Sequence, residues 1–184
     1  MNTTSKRIGI AAAVAAVAVG GLTVASGTAS ATTTDRPHGL DNAKVRANEA
    51  VVEAFMRDVL DNHRGDHAAA YFTPTMAWHG GSVGTVSGAG NVAGLMTAVV
   101  TSIPDLRAAQ QDIVAQGDEV VVRLVVTGTQ TGPILNIPAS GKPVRWDAID
   151  VYRLAGGKIA EEWAGEDFTA FLNDTGTYKA PWIQ

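Results

Sequence analysis

The 184-residue chain contains no cysteine. Disulfides, a lipidated cysteine and thiol catalysis are therefore excluded, and an exported form has to be held together by its core alone. Basic stripes are missing as well, which makes nucleic acid a poor partner. The glycines between Gly84 and Gly94 lack Walker spacing and a following Lys-Ser/Thr, so nothing there cradles a phosphate. Ser87 and Ser102 lack the setting of a nucleophile elbow. His63 and His67 stand four apart, but Gly65 spoils a helix between them and no third ligand is adjacent, so no metal site is expected. The Arg64-Gly65-Asp66 triplet is short enough to arise by chance. No internal repeat and no second domain is visible.

One long apolar run is present, Ile8 to Ala25. It is rich in alanine and glycine, is broken at Gly20-Gly21, and falls short of the roughly 20 strongly apolar residues a membrane span needs. Lys6 and Arg7 precede it and Ala29-Ser30-Ala31 follows, the pattern of an export signal. Residues 1–31 are thus expected to be a signal peptide cleaved after Ala31, giving a secreted protein without a stable membrane anchor. Lys6-Arg7 is not a twin arginine, which favours the general export route. Cleavage removes two of the 14 basic residues and none of the 18 acidic ones, leaving a net charge near −6. Residues 32–40 are polar and aperiodic, and read as a flexible leader to a single domain over 41–184.

Within that domain, Asp41 to Asn62 repeats apolar residues at helical spacing (Ala47, Val51, Val52, Phe55, Met56, Val59), with Asp41 as a plausible cap. A short helix is expected from His67 to Phe72, ended by Pro74, then a brief strand from Met76 to His79. Asn91 to Ile103 is a second amphipathic helix, stopped by Pro104. The period then changes to two: Leu106 to Ala115, Glu119 to Gln130, Val144 to Leu154 and Lys158 to Trp163 read as strands. The long connection from Thr131 to Lys142 has the makings of a lip over something, and Phe168 to Leu172 of a closing helical turn. Helices followed by a strand meander imply an α+β domain, with helices packed on one face of a curved antiparallel sheet.

The hairpin from Val144 to Asp167 places acids where a half-buried sheet should be apolar. A three-residue turn, Ala155-Gly156-Gly157, would set Leu154 opposite Lys158, Tyr152 opposite Ala160, Asp150 opposite Glu162 and Ala148 opposite Ala164. Asp150 and Glu162 then share one face, and Ile149, Val151, Ile159 and Trp163 the other. Two carboxyls in a partly desolvated site raise one another's pKa, and one becomes a usable acid or base near neutrality. The competing reading has both acids solvated, or paired with Arg145 or Arg153. Small neighbours at Ala148, Ala160 and Ala164 leave room for a cavity. Trp146 and Tyr152 share the acids' face as pocket walls or core. His79 could relay a proton and Trp78 donate to an oxyanion, although such a pair is commonly a core edge. Asp167 could equally cap a helix or serve the site.

The order of these pieces resembles the nuclear-transport-factor-2-like cone, and within it the SnoaL-like polyketide cyclases, also called ester cyclases. The resemblance is carried by Gly117-Asp118-Glu119-Val120-Val121-Val122-Arg123, Gly128-Thr129-Gln130-Thr131-Gly132 and Ile137-Pro138-Ala139-Ser140-Gly141-Lys142. Ile149-Asp150-Val151-Tyr152-Arg153 and Gly157-Lys158-Ile159-Ala160-Glu161-Glu162-Trp163 complete it. It covers about Asn48 to Leu172. It implies ring closure by an intramolecular aldol reaction, moved by an acidic residue without metal or organic cofactor. Epoxide hydrolases on the same cone use a similarly placed aspartate to activate water. The family's acid position falls at Ala164 and its second aspartate at Asp167. Its pocket histidine falls at Asp150, with a polar neighbour at Ala148, a further pocket position at Glu162, and its pocket asparagine at Trp78 beside His79.

The residues thus carry three readings. The first is an exported enzyme for cyclisation, isomerisation or hydrolysis of a neutral, largely apolar small molecule, with Asp150 as general base tuned by Glu162. His79, Trp78 or Tyr152 would hold the developing oxyanion, with Trp146, Ala148, Ala164 and Asp167 also around the substrate. The second is a binding protein that keeps the cavity without the catalysis. The third is an interaction protein that forms a homodimer through its sheet.

Overall fold

A computed structural model describes residues 38–183; residues 1–31, expected as a signal peptide, and most of the expected leader over 32–40 lie outside them. Helix α1 (His38–Phe55) starts ahead of Asp41, which therefore lies inside the helix and not at its cap. It continues into a π-helical segment (Met56–Asp61), closed by the Asn62 N–H donating to the Arg57 carbonyl at 3.0 Å. Val52, Phe55, Met56 and Val59 are buried along this length, as their spacing requires, whereas Val51 is half-buried and Ala47, expected on the same stripe, is exposed. A 3-10 turn (Gly65–Tyr71) leads into strand β1 (Phe72–His79). Pro74, expected to end a helix, lies in this strand. The ladder is interrupted there, between Phe72 and Ala77, so the missing N–H breaks no pairing.

Strand β2 (Thr85–Ser87) and helix α2 (Ala89–Ser102) follow, and α2 turns Val92, Ala93, Met96 and Val100 inward. The rest is the meander β3 (Arg107–Gln116), β4 (Glu119–Gln130), β5 (Lys142–Ala155) and β6 (Lys158–Glu166), closed by α3 (Phe168–Thr175). The six strands form one curved, open sheet in the order β2-β1-β6-β5-β4-β3. It is antiparallel except that β1 runs parallel to β6, a pairing that the meander alone did not predict. Its inner face buries Val120, Val122, Leu124 and Val126 of β4 and Ala148, Tyr152 and Leu154 of β5. On the outer face, where self-association is expected, Val114, Ile149 and Trp163 are exposed. No helix among the described residues is long and apolar enough to cross a membrane.

The β5–β6 turn departs from the expected register in an instructive way. Only Gly156 (φ 58°) and Gly157 (φ 74°) form the loop, both left-handed as a two-residue type I′ turn demands, and Ala155 pairs with Lys158. Shortening the loop by one residue would turn every later side chain of β6 to the opposite face. A bulge at Ala160 turns them back. Asp150 and Glu162 therefore share the inner face, but with new partners: Asp150 faces Ala164, Glu162 faces Tyr152, and Ala148 faces Glu166. Ile159, expected outside with Trp163, is instead buried opposite Leu154.

Strand β6 also runs three residues past its expected end. Gly165 lies inside this added length, where no side chain fits, since a Cβ there would lie 2.6 Å from the Ile149 carbonyl oxygen. The β4–β5 connection is a lip. Its Ile134 and Ile137 pair with each other around Leu135 (φ 50°) and Asn136 (φ 63°). Its base is fastened by Gln130 and by Ser102, which donates to the Pro133 carbonyl at 2.6 Å.

Candidate active site

The curve of the sheet, capped by α1, α2, α3 and the lip, encloses a cavity of ≈ 90 Å³, counted as the space open to the centre of a water-sized atom. A single water needs about 10–15 Å³ on that measure, so a small organic group fits. Its walls are apolar: Phe55 and Leu60 from the α1 region, Leu95, Met96 and Val99 from α2, Leu124 and Val126 from β4, Ile134 and Leu135 from the lip, and Phe168 and Phe171 from α3. Trp78, Trp146 and Tyr152 complete the aromatic lining.

Three carboxyls enter this apolar space: Asp150, Glu162 and Glu166. Asp150 is 3% and Glu162 4% exposed. Asp150 Oδ2 receives one long hydrogen bond, 3.5 Å, from the Tyr152 hydroxyl. Asp150 Oδ1 and Glu162 Oε2 are buried without any partner among the described residues. Glu166 accepts a hydrogen bond from the Trp146 indole N–H. The arginines that might have neutralised the pair point away: Arg153 binds Glu161 at 2.6 Å and Arg145 binds Asp147 at 3.1 Å, both on the outer face.

Burial fixes the protonation of this cluster. Loss of hydration raises the Asp150 pKa well above its ordinary value, and the Glu166 charge adds to it. Glu162 is raised well above its ordinary value by burial and then by Asp150 and Glu166, against the opposing effect of the Trp78 indole. Glu166 is raised by burial while its bond from Trp146 works the other way. Desolvation and the surrounding acids likewise hold Tyr152 as the neutral phenol. Asp150 and Glu162 thus favour their protonated forms. Glu166, only partly buried and holding a donor, is the acid best placed to ionise.

Of the residues singled out from the sequence, Asp150, Glu162, Trp78, Trp146 and Tyr152 line the cavity together. Ala148 and Ala164 lie buried on the same face, leaving space beside the acids. His79 is placed elsewhere, because alternation along β1 turns it away from Trp78. It stacks on Trp163 with ring centroids 5.3 Å apart, and its Nδ1 lies 3.2 Å from Thr85 Oγ1. Asp167 is exposed and caps α3, accepting from the Ala170 N–H at 3.1 Å. Neither belongs to the cavity wall. His63 and His67 have separate partners, the Leu106 carbonyl and Asp58. Among the described residues no group of His, Asp or Glu is arranged to hold a metal ion.

Glu166 is the residue that the sequence reading missed. The signal was available as the period-two run Glu162-Ala164-Glu166, which ending the strand at Trp163 concealed. An acid is therefore present one inward position beyond Ala164.

Solved structures of similar shape include a SnoaL-like polyketide cyclase from Jannaschia sp. CCS1 (TM-score 0.66, 23% identity, covering 73% of this chain and 94% of that one). AclR from Streptomyces galilaeus, described as a hydroxylase, superposes with a TM-score of 0.64 at 21% identity, over 73% of this chain and 99% of its own. An LEH-like epoxide hydrolase from M. tuberculosis follows at 0.59 and 15%, over 73% and 92%. No curated protein matches the chain significantly. The family model described as SnoaL-like polyketide cyclase matches residues 50–175, which span both faces of the cavity and all three acids, and the chain belongs to that family.

Proposed function

We propose that this protein is an exported, cofactor-independent acid–base enzyme acting on a largely apolar small molecule, by ring closure, isomerisation or hydrolysis. The carrying observation is the pair of orphaned oxygens, Asp150 Oδ1 and Glu162 Oε2, buried in an apolar cavity beside a third, more accessible acid. Buried polar groups are nearly always satisfied. An unsatisfied pair facing a cavity is what a site looks like when its partner is the substrate.

The roles follow from the environments. Glu166, steadied by Trp146, removes a proton from carbon beside a carbonyl, or from water in a hydrolysis. Protonated Asp150 and Glu162 donate hydrogen bonds to the oxygen where negative charge develops. The apolar walls exclude water and strengthen both interactions. In ring closure, the carbanion then attacks an electrophilic carbon of the same molecule, and the proton on Glu166 returns to the resulting alkoxide. Glu166→Gln is expected to lower turnover of a substrate found by screening by about 10²–10⁴-fold, with little change in KM. Full turnover in that variant sinks the assignment of the base, full turnover in Asp150→Ala with Glu162→Ala sinks that of the oxyanion donors, and no turnover of any screened substrate by the unaltered protein sinks the enzyme reading.

A second reading is favoured by Ala164, which stands where the family resemblance places an acid: the cavity holds an apolar ligand and releases it unchanged. Purified protein that carries an unaltered ligand, with no product after long incubation, supports this reading over catalysis.

A further inference from the structure

Nothing in the cavity balances its acids. Among the described residues lining it there is no lysine, arginine or histidine, and the titratable groups are Asp150, Glu162, Glu166 and Tyr152 alone. The helices and β4 packed against them bring only apolar side chains, such as Leu95, Met96 and Leu124. The arrangement does not suit a metal ion either. Beside the acids stand the rings of Phe55, Trp78, Trp146 and Tyr152. Ring faces attract cations, and an aromatic wall with carboxyl groups beside it is the setting in which organic ammonium groups are held.

We infer that the ligand of this cavity carries an ammonium group, protonated or quaternary, on an apolar body, with the cation seated between Asp150 and Glu162 against Trp78 and Tyr152. This rests on the cavity being the substrate site and names the substrate class for it. A neutral ligand satisfies Asp150 and Glu162 only while they keep their protons. A single cation pairs with one of them as a carboxylate, because a buried charge is tolerated once it is paired, and the other keeps its proton as the donor to developing negative charge. The two oxygens without partners accept hydrogen bonds from a protonated ammonium and meet a quaternary one by charge alone. Carboxylates and phosphate esters are excluded by the same charges, which repel them from a site they would otherwise fill. The acidic balance of the whole chain adds a weak field that draws cations towards the protein. Glu166, held by Trp146, remains free to move a proton.

The test is a calorimetric titration of the purified protein with three probes sharing one body: trimethyl(2-phenylethyl)ammonium, 2-phenylethanol and phenylacetate, at pH 6 and pH 8. The cation is expected to bind about tenfold or more tighter than the alcohol at pH 8, and phenylacetate not at all. Since the charge of this cation is fixed, its affinity should rise between pH 6 and pH 8 as the acids ionise. In Asp150→Asn/Glu162→Gln the advantage over the alcohol should vanish. Should the double variant not fold, the pH dependence in the unaltered protein decides the matter. Alcohol binding as tight as the cation at pH 8, a cation affinity that does not rise with pH, or a preference that survives the double variant, overturns the inference. Alcohol binding alone leaves the proposed function standing, and failure of the cation to bind overturns the inference, while turnover by the unaltered protein decides the proposed function separately.

Discussion

Gln130 and Asp150 lie on adjacent strands, β4 and β5, and both are buried, yet their surroundings differ completely. The Gln130 amide donates to the Gly132 and Pro138 carbonyls at 2.9 and 3.0 Å and accepts from the Ser140 N–H at 2.9 Å. Every capacity of that side chain is spent on fastening the lip. Asp150 has one long bond from Tyr152 and an oxygen with none. A buried polar group that is saturated by its own chain serves the fold, and one left unsaturated beside a cavity is available to something else. The contrast separates structural from functional polarity without reference to any relative.

The largest effect expected is at the structural end. Gln130→Ala strands two carbonyls and an N–H, and should destabilise the protein by about 3 kcal/mol in urea unfolding. A loss below about 1 kcal/mol would mean that the lip does not depend on the amide, and the contrast would collapse.

Asp150→Asn should behave in the opposite sense. A carboxyl whose folded pKa is raised contributes stability that is fully present below its unfolded pKa, about 4, and is lost as pH rises through the folded value. For Asp150 and Glu162 the stability of the protein therefore falls as pH climbs from mildly acidic towards alkaline. The asparagine variant should be about 1 kcal/mol more stable than the parent at pH 8, and no more stable at pH 5, where Asp150 already holds its proton. Equal melting temperatures at both pH values would show that Asp150 carries no burial penalty.

The smallest effect sharpens the comparison from outside the cavity. Asp167 is an acid with its own partner, the Ala170 N–H, and Asp167→Ala should cost about 0.5 kcal/mol in urea unfolding. Asp58 and Asp105 belong to the same satisfied class. In Asp58, hydrogen bonds from His67 and Tyr71 outweigh burial and lower the pKa. In Asp105 the Thr129 backbone and hydroxyl do so. Their contributions are present above the ordinary carboxylate range and are lost in acid, so the two classes together set a mildly acidic optimum of stability.

The elements were legible because hydrophobic period carries them: the helix around Val52 to Val59, the helix from Val92 to Ile103, and the strands from Leu106 onward all stand where their spacing predicts. What stayed hidden depended on single residues whose meaning is three-dimensional. The need for Gly165 inside β6 shows only when the Ile149 carbonyl is seen beside it, and Glu166 was lost with a strand ended at Trp163. The bulge at Ala160 cannot be read from a run of alternating residues, since it breaks the alternation that defines the run. His79 was a candidate only through adjacency to Trp78, and in a strand adjacency means opposite faces. The parallel pairing of β1 with β6 joins residues too distant along the chain for local pattern to report.

Leu135 and Asn136 form the tip of the lip with left-handed backbones, a conformation that costs a residue with a side chain about 1–2 kcal/mol. Conformational strain is thus concentrated at one point on the rim, where the chain behind it is firmly tied. Elsewhere in the wall, enlarging the cavity means removing core and losing stability. At Leu135 a glycine would relieve the strain and remove a wall side chain at once, so at this position a larger cavity and a calmer backbone lie in the same direction.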